Sequence, residues 1–269
     1  MRRNFQQFLP SIATALCFLA GAVQAASPVV LVEFNGQYRG YFEPPRLSSV
    51  LLGINADKPL YWPSARLYKL DVEHLVATEK LRAQVLEQLR LLTIHWQAEP
   101  RVAADLMQLR SQIATWRLGQ HIDLLLDVDK ARTQPDFDPR LDEGQYLIQA
   151  RSRPGFITLT GLGGDHFVEH QTGRFAYMYL AQAHGIDHSG IDEIYWLNVG
   201  QPSTTAAAAQ PMNAARPPLK LPIASWNRNQ QQLPPGALLF VPIPAKWLPE
   251  AWQDLNQQLL QLIQSRVSK

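Results

Sequence analysis

The run Val29-Val30-Leu31-Val32-Glu33-Phe34-Asn35-Gly36, continued by Gln37 to Phe42, decides how this chain is read. Two β-rich runs on either side of an Asn-Gly pair predict a hairpin, because both central residues of a type I′ turn need positive φ and Asn and Gly take it at least cost. Pro44-Pro45 closes the hairpin, and Arg46 to Ile54 predicts a short helix, with Leu47, Val50, Leu51 and Ile54 at helical spacing. The layout returns in the second half. Phe156-Ile157-Thr158-Leu159-Thr160 and His166 to His170 flank a Gly-rich turn, and Arg174 to His184 predicts a helix. A hairpin, a helix and further strands, twice over, predict an α+β protein of two domains.

Between the copies the period changes. Val85, Leu89, Leu92 and Trp96, then Val102, Leu106, Leu109, Ile113 and Trp116, make two apolar stripes separated by Glu99-Pro100. Asp71 can cap the first helix and Pro100 fits the first turn of the second, so an antiparallel helical hairpin is expected. Strands are expected at His121 to Val128 and Tyr146 to Ala150, with a polar loop from Asp129 to Gly144 between them. Further strands are expected at Glu193 to Val199, Leu219 to Trp226 and Ala237 to Ile243. Gln201 to Pro218, rich in Ala and Pro and lacking aromatics, reads as a mobile insertion. After Pro249, Trp252, Leu255, Leu259, Leu262 and Ile263 form the stripe of a terminal amphipathic helix.

Charge and targeting narrow the function. Arg2 and Arg3, the apolar stretch Ile12 to Val23 and the small residues at Val23-Gln24-Ala25-Ala26 read as a secretory signal over residues 1–25. The chain carries 25 basic and 23 acidic side chains, and cleavage after Ala25 removes two arginines and no acid, leaving a balanced mature protein. Nucleic acid is a poor partner for it. Cys17 leaves with the signal, and Leu16 before it does not fit lipidation. A thiol-free exported chain has neither disulfides nor cysteine-ligated metal. No second apolar run has the roughly 18 residues of a membrane span.

Several motifs invite chemistry. His166-Phe167-Val168-Glu169-His170 has the H-x-x-E-H order of inverted zinc peptidases, but that chemistry needs a helix, and glycines with β-prone residues predict a strand here. His184, Asp187 and His188, with Asp192, could form a loop metal site; chance proximity at a turn explains them better. Gly161-Leu162-Gly163-Gly164 is half of a dinucleotide fingerprint and is better read as a tight turn. The mature chain has no Gly-x-Ser-x-Gly elbow, Walker loop or cysteine nucleophile, so no catalytic residues, metal or cofactor are assigned. Tyr61-Trp62 and Trp116-Arg117 are the candidate ligand-binding residues. Aromatic faces stack on sugar rings, and arginine pairs bidentately with a uronic carboxylate. The competing structural reading has Trp116 sealing the helical hairpin and Tyr61 and Trp62 filling the first core.

The ordered set of a Tyr61-Trp62-Pro63-Ser64 segment, the helical hairpin, Arg153-Pro154-Gly155-Phe156 to Gly161, Ala224-Ser225-Trp226-Asn227, Leu233-Pro234-Pro235-Gly236-Ala237 and Leu248-Pro249-Glu250 resembles the GfcC/YjbG family of capsule and exopolysaccharide biosynthesis proteins. The likeness runs from about Val29 to Val267. It implies two β-grasp domains similar to the SLBB-like ligand-binding domains of Wza-type outer-membrane polysaccharide exporters. The expected organisation is then a signal at 1–25, a first β-grasp domain at 26–151 with the helical hairpin inserted at 71–117, a second at 152–247 with the insertion at 201–218, and the amphipathic helix at 248–269. Where the family pattern has an arginine after the glycine that follows the helical hairpin, this chain has Gly119-Gln120; Arg117, two residues before Gly119, can stand in for it.

The resemblance implies a periplasmic accessory protein without catalytic activity. Its partners would be the secreted polysaccharide or the Wza-type exporter, and the chain is expected to be a monomer that does not span the membrane. Two other readings stay open. One is a periplasmic glycan-modifying enzyme, a lyase or hydrolase. The other is a membrane-surface protein acting through the final helix, against which stands a polar face rich in Gln rather than Lys and Arg.

Overall fold

The computed structural model describes residues 27–54, 59–183, 190–197, 218–224 and 230–267. The expected signal segment, the insertion as far as residue 217, the trio His184, Asp187 and His188, and Trp226-Asn227 lie outside these residues. The opening hairpin is β1 (Val30–Phe34) and β2 (Gln37–Tyr41), with Val30 opposite Tyr41 and Phe34 opposite Gln37. Asn35 and Gly36 turn it at φ of 49° and 77°, as the type I′ turn requires. α1 (Leu47–Leu52) buries Leu47, Val50 and Leu51. A 3-10 turn at Trp62–Ser64 leads into β3 (Arg66–Lys69).

The helical hairpin follows as α2 (Val72–His95) and α3 (Pro100–Ala114). Asp71 caps α2 by accepting from the Glu73 amide at 3.0 Å, and Pro100 opens α3. Then come β4 (Arg117–Leu118), β5 (Gln120–Ile122), α4 (Val128–Thr133) and β6 (Gly144–Gln149). The second half holds β7 (Phe156–Gly161), β8 (His166–Glu169), α5 (Ala176–Gln182), β9 (Glu193–Leu197), β10 (Leu219–Pro222) and β11 (Leu238–Val241). The described chain closes with α6 (Leu255–Gln264) and β12 (Arg266–Val267).

The first sheet runs β2-β1-β6-β3-β5 and the second β10-β9-β11-β7-β8. Read from β8, the second order repeats the first: hairpin strands, then the last strand of the half, parallel to the hairpin's first strand, then the two remaining strands. The parallel pairs are β1 with β6 and β7 with β11. The duplication expected from the hairpin-and-helix pattern is thus present in the strand order, and the chain is α+β. Among the described residues no helix is long and apolar enough to cross a membrane.

Four expectations need correction. The strand expected over His121 to Val128 ends at Ile122, and the loop expected from Asp129 contains most of α4, because the Asp127 carboxylate accepts from the amides of Asp129 and Lys130, both at 3.0 Å, and starts a helix there. The helix expected from Arg174 is shorter, Ala176–Gln182. The terminal helix expected over 248–269 begins only at Leu255, after two 3-10 turns, and stops at Gln264. Its stop has a cause: Arg266 and Val267 leave the helix to pair antiparallel with Leu118 and Arg117 of β4.

Packing joins what topology separates. The helical hairpin is inserted between β3 and β5 of the first sheet, yet Val85, Leu89, Leu92, Leu106, Leu109 and Ile113 belong to one buried cluster with Ile157, Leu159, Leu239 and Phe240 of the second sheet. Leu255, Leu259, Leu262 and Ile263 of α6 are fully buried in the same cluster. Asn256 fastens the helix, its side-chain oxygen accepting from the Ile243 amide and its nitrogen donating to the Ile243 carbonyl. The first sheet keeps a smaller core of its own, built on Val30, Val32, Leu67, Ile148 and α1.

Candidate functional site

β12 is two residues long and ties the two halves together. Val267 is buried with Tyr68 and Leu147 of the first sheet, and the Tyr68 hydroxyl donates to the Arg266 carbonyl at 2.8 Å. The Arg266 side chain reaches the other way. Its guanidinium donates to both carboxylate oxygens of Asp165, at 2.9 and 2.5 Å, and to the Thr160 hydroxyl at 3.2 Å. It also lies over the Trp116 ring, 4.9 Å from the centroid, a cation–π stack beneath a bidentate ion pair. Burial works against the charged form of Asp165, but hydrogen bonds from Arg266, Thr160 and Gln112 outweigh it and hold the carboxyl below the usual carboxylate range.

Arg266 and Asp165 line a cleft of about 200 Å³ between the sheets. The first half contributes Ser64, Arg66, Gln149 and Arg151. The second contributes an aromatic wall, Phe156 and Phe167, whose rings meet edge to face at 5.2 Å. Phe167 is 66% exposed although it sits on a strand, because its neighbour Val168 takes the core-facing phase. Arg66 is half-buried. Its guanidinium reaches the Tyr68 hydroxyl at 3.5 Å, and among the described residues no carboxylate pairs with it. Burial, reinforced by the charge of Arg66, pushes the neighbouring His121 imidazole down to about 3, which keeps it neutral. With Arg266 and Asp165 neutralising each other, Arg66 is left to carry positive charge into the cleft.

The residues singled out from sequence fall around this cleft without lining it. Trp116 is buried in the larger core and supports Arg266 from below. Tyr61 and Trp62 precede Ser64 on the 3-10 turn. The Tyr61 amide donates to the Arg151 carbonyl at 2.8 Å, the Arg153 guanidinium stands 5.7 Å from the Tyr61 ring, and Trp62 packs against the smaller core. Arg117 is more than half exposed and ion-paired with Glu33 at 3.1 Å. Trp62 thus packs with the smaller core and Trp116 with the larger, while the cleft itself is lined by Phe156, Phe167, Arg66, Arg151 and Arg266, none of which was singled out from sequence as ligand-binding. The signal available in sequence was a large aromatic on the outward phase of a short strand.

The H-x-x-E-H run is strand β8 and its exit. The His166 ring meets the Gly163 carbonyl at 2.9 Å and the His170 ring the Leu233 carbonyl at 3.0 Å, so the two imidazoles serve separate backbone groups. Among the described residues no three His, Cys, Asp or Glu side chains are grouped to hold a metal. Gly161, Gly163 and Gly164 make the preceding turn at φ of 115°, 81° and 93°.

Known proteins resemble the chain at both ends. Residues 26–151 match a family model described as capsule biosynthesis GfcC, N-terminal, and residues 217–268 one described as capsule biosynthesis GfcC C-terminal. The uncharacterized protein YjbG of Escherichia coli strain K12 is 26% identical over 211 residues, a span covering 77% of each chain.

Proposed function

The chain belongs to the GfcC family of capsule biosynthesis proteins, and on that premise we propose that it is a non-catalytic accessory protein of the periplasm that holds polysaccharide during assembly or export of a capsule or exopolysaccharide. The observation that carries this reading is the cleft between the two sheets, lined by arginines, an amide, hydroxyls and an exposed aromatic pair. Such groups recognise sugars by stacking and hydrogen bonding. The cleft's one carboxylate, Asp165, is bound bidentately by Arg266 and held ionised, the opposite of the raised pKa a glycosidase acid needs. That favours recognition over hydrolysis.

The two sheets are read as β-grasp domains of the kind implied for Wza-type exporters, a reading supported by their common order and their parallel first-to-last strand pairs. The signal read over residues 1–25 supports export to the periplasm. In this account Trp116 positions Arg266, Tyr61 and Trp62 shape the first-sheet rim through Ser64 and Arg151, and Arg117 braces β4 against Glu33. The test is a titration of the purified mature protein with the producing strain's own polysaccharide, read by tryptophan fluorescence, with reducing ends assayed in the same tubes. Saturable binding without new ends is expected. New reducing ends would overturn the non-catalytic assignment, and absence of binding would shift the partner to the exporter.

A further inference from the structure

We propose that the cleft between the sheets takes an acidic sugar unit, a carboxylate-bearing ring whose charge is met by Arg66 and whose face rests on Phe167; this rests on the polysaccharide-holding function above. Size, charge and shape each point the same way. At about 200 Å³ the cleft falls below the roughly 300–1,000 Å³ of a drug-sized pocket, so it fits one ring of a chain rather than a folded oligosaccharide. Its ionisable lining is three arginines against Asp165, and Asp165 is already committed to Arg266.

Arg66 is the decisive group. A half-buried guanidinium has given up part of its hydration, and with no carboxylate beside it among the described residues only the Tyr68 hydroxyl compensates. A ligand carboxylate arriving in the cleft supplies the missing counter-charge. Two planar N–H donors matching two carboxylate oxygens make the strongest pairing open to it. In the same cleft Phe167 presents a ring that is 66% exposed and braced edge-on by Phe156. A large aromatic left open on the solvent phase of a strand, lining the same cleft as an arginine without a carboxylate partner among the described residues, suits a ligand with one apolar face and one anionic edge. A uronic acid residue has that combination.

The probe is trigalacturonate, compared with its methyl ester, titrated by calorimetry into the full mature protein, its Arg66→Gln and Phe167→Ala variants, and alongside the strain's own polysaccharide. The acid should bind at least roughly tenfold tighter than the ester, as expected for the loss of a charge-assisted pair. Arg66→Gln should abolish that preference. Phe167→Ala, at an exposed ring that leaves the fold intact, should weaken acid and ester alike. Equal binding of acid and ester, or an unchanged preference in Arg66→Gln, overturns the assignment, as does failure of the acid to bind at all. If the strain's polysaccharide still binds in those cases, the polysaccharide-holding function survives and only the acidic-unit assignment falls. If neither binds, both fall.

Discussion

Asp165→Asn tests whether β12 pins the two halves together. The substitution keeps size and shape but removes the charge that Arg266 contacts at 2.9 and 2.5 Å. Hydrogen bonds to charged groups contribute ~1.5–3 kcal/mol, and stripping one partner from a fully buried pair costs ~3–5 kcal/mol. Both side chains here are 18% exposed, and Arg266 keeps the Thr160 hydroxyl and the Trp116 face. The expected loss is therefore ~2–3 kcal/mol, equivalent to a fall in Tm of ~5–10 °C for a chain of this size.

Arg266→Met should cost about as much, because it strands Asp165 and removes the cation from Trp116. The double variant should cost less than the sum, with a coupling of ~1.5 kcal/mol or more. The pH dependence has a definite sign. Because the Asp165 carboxyl is held below its ordinary value in the folded protein, its stabilisation is fully present above the ordinary carboxylate range and drains away as pH falls through the lowered value. Wild type and Asp165→Asn should then converge at strongly acidic pH. Urea unfolding at pH 7 measures the cycle. A loss below ~0.5 kcal/mol for Asp165→Asn would refute the pin.

His121 gives a second pH signature. Its folded value of about 3 lies below the ordinary 6.5, so the unfolded chain takes the proton first and stability falls between those limits by up to ~1.4 kcal/mol per pH unit; His121→Phe should flatten the urea-midpoint profile from pH 6 to 4. At Gly161, φ is +115° and a Cβ would stand 2.2 Å from the Val241 carbonyl oxygen, so Gly161→Ala should lower stability by more than ~2 kcal/mol in thermal unfolding. Leu259→Ala empties a fully buried position on α6 and should cost ~2–5 kcal/mol; hydrogen exchange should show α6 amides losing protection, since ten residues are too few for a helix to persist without packing.

What could be read in the sequence was what local periodicity encodes. The Asn35-Gly36 turn and the two apolar stripes of α2 and α3 specify their elements within a dozen residues, and each is where it was expected. α4 carried a signal that its polar composition hid: Asp127 as cap, Lys130 and Arg132 in the last turn and Pro135 beyond. β12 carried none. Two residues have no period, and Arg266-Val267 become a strand only because β4, far back in the chain, offers them an edge. The cleft was hidden for a related reason. Trp116 and Arg117 are adjacent in sequence, yet helix-to-strand geometry sends Trp116 into the core and Arg117 out to Glu33. Arg66, Phe167 and Arg266 lie on three strands and meet only after both sheets form.

That the hairpin α2–α3 is inserted in the first sheet yet buried with the second has a consequence for binding. Two small sheets joined only by a linker would swing, and a cleft between them would open and close at little cost. Here, pulling the halves apart would expose α3 residues such as Leu106 and Ile113 together with their second-sheet neighbours, while also breaking the β4–β12 pair and the Arg266–Asp165 bridge. Apolar burial at ~25 cal/mol per Å² makes that far more costly than any gain from one sugar ring. The cleft is therefore fixed before a ligand arrives, and little ordering of the walls opposes binding. Affinity should then follow the charge and face of the ring rather than a closing motion, and the pin at Arg266 should set how far apart Arg66 and Phe167 stand.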